Sequence, residues 1–321
     1  MTSRPLIVRL RNWVGDVILG IPALKLLASH GHQLQLVGKG WADALLAGEG
    51  WPVHVRPPGG WAAVQQLREL RRAARSADPA FDRRDNAVVL TTSFSSALEM
   101  RLAGLRAVGY SQEARGFLLA RSVPITYGGP ALVAYWELAC RFLGITQPPP
   151  REIGLRLASS DVAQADALLR AHGVEPGFIA ICPFAGGTFE KLDKAWPGFP
   201  EFTRTLRALG RRVVACPGPG EEAALREHYP GVVALEGVKL GAYAAILQRA
   251  ALLVSNDTGP GHLAAAVGAR VLSVLGPTKP EQWAPWGPTV TIVQRPQSGE
   301  RVEWPGVDEV MQRVTALAPA A

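Results

Sequence analysis

Short apolar segments alternate with helical patterns along almost the whole chain, and this alternation restricts the folds open to it. Residues 6–10, 33–37 and 87–91 are typical of strands. Residues 17–29 and 61–76 have the spacing of helices. Strands separated by helices form parallel sheets, because a parallel pair needs a long crossover connection. The pattern therefore predicts an α/β fold with open parallel sheets.

Three consecutive prolines at 148–150 interrupt this pattern and mark a linker, because they cannot continue a helix or a central strand. The alternation then resumes, with strands at 178–182, 212–216, 251–255 and 270–275 and helices at 160–172, 199–209, 221–228, 240–250 and 259–267. A chain of 321 residues suits two domains. We predict two Rossmann-like domains, 1–150 and 151–321, whose sheets face an interdomain cleft. The last helix, about 307–318, follows the end of the sheet pattern and is a candidate to pack back on the N-terminal domain.

All of the net positive charge lies in the first half of the chain. Residues 1–150 hold 2 Lys and 15 Arg against 10 Asp and Glu, a balance of +7, whereas residues 151–321 balance to zero. A basic half attracts an anionic partner: nucleic acid, a membrane surface or a phosphorylated substrate. The alternative is a solvated, arginine-rich surface with no partner.

The cysteines and histidines help to predict the cellular compartment and whether the protein binds a metal. The three cysteines are scattered and odd in number, which excludes a disulfide scaffold or thiolate metal cluster and suits a reducing compartment. No apolar run would span a bilayer, and Arg9, Arg11 and Asp16 interrupt any signal-peptide pattern. The six histidines lack metal-ligand spacing. We expect a cytoplasmic protein with no essential metal and no cofactor.

The segment 255–262, Ser-Asn-Asp-Thr-Gly-Pro-Gly-His, follows an apolar strand and precedes a helical run. Small residues at such a turn leave backbone N–H groups aimed outward, and the helix dipole adds positive potential, so the turn suits a pyrophosphate. Asp257 either caps the helix or hydrogen-bonds sugar hydroxyls. His262, one helical turn further on, either contacts the ligand or packs.

The segment 183–197 also follows a strand, and it carries a Gly-Gly-Thr turn at 186–188 and lysines at 191 and 194. A lysine here would place a positive charge against a leaving phosphate. The alternative is a solvated loop whose Trp196 packs on the next helix.

Gly15 and Asp16 follow the first strand, at the N-terminus of the first helix. A carboxylate in this position is either a helix cap or, at the lip of a cleft, a general base for an attacking hydroxyl. The helix dipole would keep it ionised.

These segments, taken in order, resemble glycosyltransferase family 9, the heptosyltransferases of the lipopolysaccharide inner core. The resemblance covers nearly the whole chain. Its motifs are Asn-Trp-Val-Gly-Asp at 12–16, Ser-Phe-Ser-Ser-Ala-Leu at 93–98, Asp-Lys-Ala-Trp-Pro at 193–197, Asn-Asp-Thr-Gly at 256–259, His-Leu-Ala-Ala-Ala at 262–266, Leu-Gly-Pro-Thr-Lys-Pro at 275–280 and Pro-Trp-Gly at 285–287. The first two motifs are closer to the second heptosyltransferase than to the first.

The resemblance implies a GT-B fold and an inverting transfer of heptose from ADP-heptose, which binds the C-terminal domain. Asp16 would be the general base, and Lys194 would steady the departing diphosphate. Asp257 would orient the heptose. The other implied donor contacts are Thr188, Thr258 and Gly259 at the phosphates, Glu221 or its neighbour Glu222 at the ribose, and backbone near Val238 at the adenine. Thr188 and Lys191 lie in the loop before Lys194, and the spacing of residues in this loop differs from the family pattern.

The acceptor implied by the resemblance is a lipid-linked saccharide with phosphates and acidic sugars, held at the inner membrane and bound by the N-terminal domain. The basic first half fits it, and the helix at 68–75 is a candidate to rest on anionic headgroups. We expect a monomer on the inner face of the inner membrane, with no nucleic-acid partner. The candidate acceptor contacts are Trp13, Arg101, Arg115 and Arg121.

Two other classes of protein stay open. A nucleotide-sugar epimerase or hydrolase can use the same two-domain architecture and would turn over the donor alone. A non-catalytic binder of anionic lipid or nucleic acid would explain the basic half but leaves 193–197 and 256–262 without a purpose. The sequence decides neither the sugar, the nucleotide nor the linkage, and it does not separate an inner-core enzyme from an outer-core or protein-directed one.

Overall fold

The structure is a computed structural model that describes residues 4–125, 128–297 and 302–319. The chain divides into two compact units, Met1–Pro150 and Arg151–Ala321. Each unit is built on a six-stranded sheet whose paired strands are all parallel, with helices flanking it. The predicted α/β fold class is confirmed.

The N-terminal unit follows the predicted alternation. Its strands are β1 (Arg4–Arg9), β2 (His32–Gly38), β3 (Val53–Val55), β4 (Ala87–Val89), β5 (Ala107–Tyr110) and β6 (Arg121–Val123). Its helices are α1 (Val14–Ser29), α2 (Trp41–Leu46), α3 (Gly60–Ala77), α4 (Phe94–Leu102) and α5 (Ala131–Leu143), with short 3-10 turns at Ala47–Glu49, Phe81–Arg83 and Gly116–Leu118. The strand order is β3-β2-β1-β4-β5-β6.

Strand β1 lies at the centre of this sheet and places the first helix. Ile7 pairs with Gln35 of β2 and with Ala87 of β4, and it is fully buried because helices cover both faces of the sheet. Helix α1 begins three residues earlier than predicted, at Val14, so that Asp16 falls in its first turn. It packs along α5.

The C-terminal unit repeats the arrangement. Its strands are β7 (Ile179–Cys182), β8 (Thr188–Phe189), β9 (Leu192–Asp193), β10 (Val213–Ala215), β11 (Val233–Ala234), β12 (Leu252–Ser255), β13 (Val271–Leu275) and β14 (Val290–Gln294). Its helices are α6 (Ser159–Ala171), α7 (Phe199–Ala208), α8 (Glu222–His228), α9 (Leu240–Arg249), α10 (Gly259–Ala266), α11 (Pro280–Trp283) and α12 (Val307–Leu317). The sheet order is β11-β10-β7-β12-β13-β14, and β8 and β9 form a separate antiparallel hairpin.

The last helix belongs to the C-terminal core. Val310 and Val314 of α12 are almost fully buried in the same cluster as Phe199 and Phe202 of α7. The sequence analysis left α12 as a candidate to pack back on the N-terminal domain. Within its own unit, the apolar side of this amphipathic helix packs on α7 and β13.

Candidate functional site

The predicted donor residues collect at one edge of the C-terminal sheet. All paired strands of this sheet are parallel, so their carboxyl ends meet at the same edge. Val238 follows β11, Glu221 follows β10, Lys194 follows β7 and its hairpin, and Asp257 follows β12. Those strands are neighbours in that order, and three steps of about 4.8 Å each span about 14 Å. The segments that carry the four residues therefore leave the sheet at the same edge, in that order.

Lys194 and Asp257, which are 63 residues apart, are in contact. Lys194 Nζ donates a hydrogen bond to the Asp257 carbonyl oxygen at 3.2 Å and lies 3.6 Å from Asp257 Oδ2. Their side chains are 17% and 13% exposed, so the pair is only partly open to solvent. An ammonium group and a carboxylate are thus held side by side at the end of β12.

Asn256 joins the three segments that surround this pair. Its side chain is fully buried, accepts a hydrogen bond from the Trp196 backbone N–H at 2.9 Å and donates one to the Pro183 carbonyl at 2.8 Å. Trp196 in turn donates its indole N–H to the Pro305 carbonyl at 2.9 Å. The sequence analysis assigned Asn256 no role of its own. The sequence signal for this role was an amide residue directly after a buried strand. A polar side chain that is buried in such a position needs hydrogen-bond partners.

The turn from β12 into α10 has the backbone form predicted for anion binding. Thr258 is the N-terminal cap residue of α10, with extended backbone, and its side chain caps no helical N–H. Its hydroxyl lies 3.6 Å from Cys182 Sγ. Gly259 is the first helical residue. Asp257 does not cap the helix, because its carboxylate is directed to Lys194.

Three other predicted donor residues have different surroundings. Glu221 Oε2 accepts the Gly218 backbone N–H at 2.8 Å, at the start of α8, while Glu222 accepts that of Gly220. Burial raises the pKa of the Cys182 thiol, at the end of β7, to about 12, and the negative charge of Glu221 also raises it. Thr188 is exposed on the β8–β9 hairpin, and Val238 is half-buried.

His262 is 6% exposed within α10. This burial is what the packing alternative predicts, and it leaves little of the side chain accessible to a ligand.

In the N-terminal unit, Asp16 occupies the first turn of α1 with two neighbours. Tyr135 Oη of α5 donates a hydrogen bond to Asp16 Oδ1 at 2.6 Å. Arg11 Nε lies 3.4 Å from the same oxygen, and the Arg11 guanidinium is 6.0 Å from the centre of the Tyr135 ring. The Asp16 side chain is 11% exposed. The sequence analysis missed Tyr135, which is 119 residues from Asp16 along the chain.

Exposed aromatic side chains follow β1, β4 and β5 at the carboxyl edge of the N-terminal sheet. Trp13, which precedes α1, is 72% exposed, and Phe117 is 74% exposed. The Phe94 ring, at the start of α4, lies 6.2 Å from that of Phe117. Such rings are suited to packing against the apolar faces of a ligand. Trp13 was predicted to contact the acceptor, and Phe117 was not among the predicted residues.

Arg115 and Arg121, both predicted as acceptor contacts, make hydrogen bonds within the N-terminal unit. Arg115 is fully buried and donates hydrogen bonds to the Tyr110 carbonyl at 2.7 Å and the Ser93 carbonyl at 3.0 Å, so that it braces the loops after β4 and β5. Arg121 lies at the amino end of β6 and bonds Asp85, at the edge of the sheet opposite to Asp16. A contact of either arginine with the acceptor stays a prediction.

The arginines of α3 and α4 are partly engaged within the fold. Arg71 and Arg75 both contact Asp82, and Arg68 stacks over Trp61 with 5.0 Å between guanidinium and ring centre. Arg101 is exposed in the last turn of α4, away from the carboxyl edge of the sheet. The charge at 68–75 is therefore reduced by internal ion pairs.

Two further observations cover the described ranges 4–125, 128–297 and 302–319. Within them, no helix combines the length and the apolar character needed to cross a membrane. In the same ranges, no cluster of three or more His, Cys, Asp or Glu side chains has the geometry to hold a metal ion.

The chain belongs to glycosyltransferase family 9 (heptosyltransferase), whose sequence profile matches residues 80–304. The resemblance predicted from the motifs is confirmed. Lipopolysaccharide heptosyltransferase 3 of Escherichia coli is 33% identical over 122 residues, which cover 36% of this chain and 35% of that relative. The match to this relative therefore spans about a third of its length.

Two solved structures share the fold across both units. The E. coli ADP-heptose lipopolysaccharide heptosyltransferase II has a TM-score of 0.79 at 20% identity and covers 98% of each chain. A family 9 glycosyltransferase from Veillonella parvula has a TM-score of 0.82 at 16% identity and covers 99% of this chain and 98% of its own. The α/β fold of this chain is thus the GT-B fold predicted from the resemblance.

Proposed function

We propose that the protein is an inverting glycosyltransferase that moves heptose from ADP-heptose to the inner core of lipopolysaccharide. The observation that carries this proposal is the Lys194–Asp257 pair at the carboxyl end of β12. It combines a cation suited to a diphosphate with a carboxylate suited to sugar hydroxyls, beside the N-terminus of α10. Membership of family 9 supports the same reaction class.

On the donor side, the order of the strands suggests how the nucleotide-sugar lies. Adenine would rest near the backbone at Val238 after β11, and the ribose near Glu221 after β10. The diphosphate would meet Lys194 and the backbone of Thr258 and Gly259. Thr188 is a further candidate at the phosphates, since its hairpin follows β7. Asp257 would then bind hydroxyl groups of the sugar.

On the acceptor side, Asp16 would be the general base. Its carboxylate would take the proton of the attacking acceptor hydroxyl as that oxygen bonds to the anomeric carbon. The bond to the diphosphate breaks in the same displacement, and ADP leaves with its new charge facing Lys194. One displacement inverts the anomeric centre, and the scheme needs no covalent intermediate and no metal.

The exposed aromatics and the basic first half suit a lipid-linked saccharide that carries phosphates and acidic sugars. We further propose that the protein is a cytoplasmic monomer that rests on the inner face of the inner membrane. Sedimentation with anionic vesicles that declines with added salt is expected, and retention at high salt would contradict an electrostatic contact. Light scattering measures the oligomeric state.

Titration with ADP, UDP and GDP tests the donor proposal. We expect calorimetry to show the tightest binding for ADP, without added metal. Transfer of heptose from ADP-heptose to Kdo-lipid A or heptosyl-Kdo-lipid A is then expected, with release of ADP. Turnover of ADP-heptose without acceptor would favour an epimerase or hydrolase. Absence of ADP binding together with salt-sensitive nucleic-acid binding would favour the non-catalytic binder.

Replacing Asn256 with Ala is expected to lower the free energy of unfolding by about 2 kcal/mol, because two backbone groups lose buried partners. For a unit of this size the melting temperature would fall by about 4 to 8 °C. We also expect ADP to bind about tenfold more weakly, because Asn256 ties together segments that carry proposed phosphate contacts.

Asn86→Ala is the matched control for this variant. Asn86 is equally buried and likewise bonds two backbone groups, of Phe81 and Arg106, but it lies in the N-terminal unit. It should lower the melting temperature and leave ADP affinity unchanged. Equal loss of ADP affinity in both variants would show that Asn256 affects binding only through global stability.

A further inference from the structure

The Asp16 carboxylate is held from one side. Both contacts that the structure gives it are made to Oδ1, from the Tyr135 hydroxyl at 2.6 Å and from Arg11 Nε at 3.4 Å. Arg11 also donates to the Thr92 hydroxyl at 3.4 Å, so the loop after β4 steadies the guanidinium. Because two partners hold Oδ1, they also fix the direction in which the other carboxylate oxygen, Oδ2, points.

Tyr135 is suited to hold that oxygen throughout a catalytic cycle. It is 6% exposed and sits on α5, which packs along α1, so its ring has little freedom to move. Burial first, and then the negative charge of Asp16, hold the pKa of the Tyr135 hydroxyl well above its usual value. The hydroxyl therefore stays protonated and remains a hydrogen-bond donor at neutral pH.

We propose that Tyr135 is a positioning residue for the general base: its hydroxyl fixes Oδ1 of Asp16 so that Oδ2 faces the acceptor hydroxyl. The proposal rests on the proposed function, in which Asp16 is that base. In this step the acceptor hydroxyl gives its proton to Oδ2. A lone pair of the hydroxyl oxygen forms the new glycosidic bond to the anomeric carbon as the bond from that carbon to the diphosphate breaks. Tyr135 keeps its own proton.

Tyr135→Phe removes the hydroxyl and keeps the ring, so the contact between α1 and α5 is retained. Tyr110→Phe is the matched control, because Tyr110 is also buried in this unit and donates its hydroxyl to the Ala134 carbonyl at 2.5 Å. Both variants lose one buried phenol hydroxyl, but only Tyr135→Phe changes Asp16. The melting temperature of each variant serves as a check that it is folded.

The first measurement is the ¹³C chemical shift of the Asp16 carboxyl, in protein with ¹³C-labelled aspartate carboxyls and with the signal assigned from Asp16→Asn. Loss of the hydrogen bond from Tyr135 is expected to move this signal in Tyr135→Phe. No movement is expected in Tyr110→Phe. The second measurement is heptose transfer from ADP-heptose to the two lipid A acceptors named above. There kcat should fall about ten- to a hundredfold with KM nearly unchanged.

The outcomes separate the two proposals. An unchanged Asp16 carboxyl signal or an unchanged kcat in Tyr135→Phe would overturn the positioning role. Equal losses in Tyr135→Phe and Tyr110→Phe would overturn it too, since a general loss of stability would then account for both. If wild-type protein transfers nothing to either acceptor, the proposed function fails, and the Asp16 carboxyl signal still decides whether Tyr135 holds the carboxylate.

Discussion

Replacing Asp16 with Asn is expected to lower kcat for heptose transfer by a factor of about 10² to 10⁴, the usual contribution of a positioned general base. Asn keeps the shape of the side chain and can still accept the Tyr135 hydrogen bond, so the local structure should persist. What it loses is the ability to take a proton. ADP affinity should not change, because the proposed donor contacts lie in the C-terminal unit.

Asp43→Asn is the control for this substitution. Asp43 is an exposed acidic residue in the first turn of α2, so the change removes the same charge from the same helical position. Its activity should equal that of the wild type. Stopped-flow or single-turnover measurements at saturating donor separate the chemical step from product release. Full activity of Asp16→Asn would show that another group, or solvent, removes the acceptor proton.

The sheets and the edge that carries the donor residues were predictable from local pattern. The strand periodicity located β7, β10, β12 and β13 to within a few residues, and parallel strands must end at one edge. Because parallel strands end at one edge, this pattern was enough to place Asp257 and Lys194 at the same edge of the sheet. Their direct contact depends on the path of the intervening hairpin, whose turn residues Glu190 and Lys191 have positive φ, and local propensity does not predict that path.

The features that escaped prediction depend on long-range packing. Periodicity shows that a helix has an apolar side but not what covers it. The N-terminal domain was therefore only a candidate partner for α12, and the structure places Val310 in the C-terminal core. Tyr135 reaches Asp16 only because α5 packs on α1. The prediction for Arg115 used its charge alone. In the structure this side chain is buried, and it donates hydrogen bonds to two backbone carbonyls.

Replacing Lys194 with Met is expected to have the other large effect. Met retains the unbranched, flexible stem and removes the ammonium group. Loss of one preorganised group that stabilises charge in the transition state costs about 10² to 10³ in kcat. Because the same ammonium would also contact the diphosphate of bound ADP, calorimetry should show weaker ADP binding. The loss in kcat should exceed that loss of affinity, since negative charge builds up on the leaving group only as its bond breaks.

The Asp257 carboxylate contributes to the effect of Lys194→Met, and a second substitution separates this contribution. Without Lys194 the Asp257 carboxylate, which is 13% exposed, has lost its cation, and part of the observed effect would come from that unpaired charge. In Lys194→Met with Asp257→Asn the charge is absent, so stability should recover while activity should not. Lys191→Met, which removes the same charge from the exposed turn of the hairpin, is expected to have a much smaller effect. Recovery of transfer in the double variant would mean that Lys194 serves to neutralise Asp257 rather than to steady the departing diphosphate.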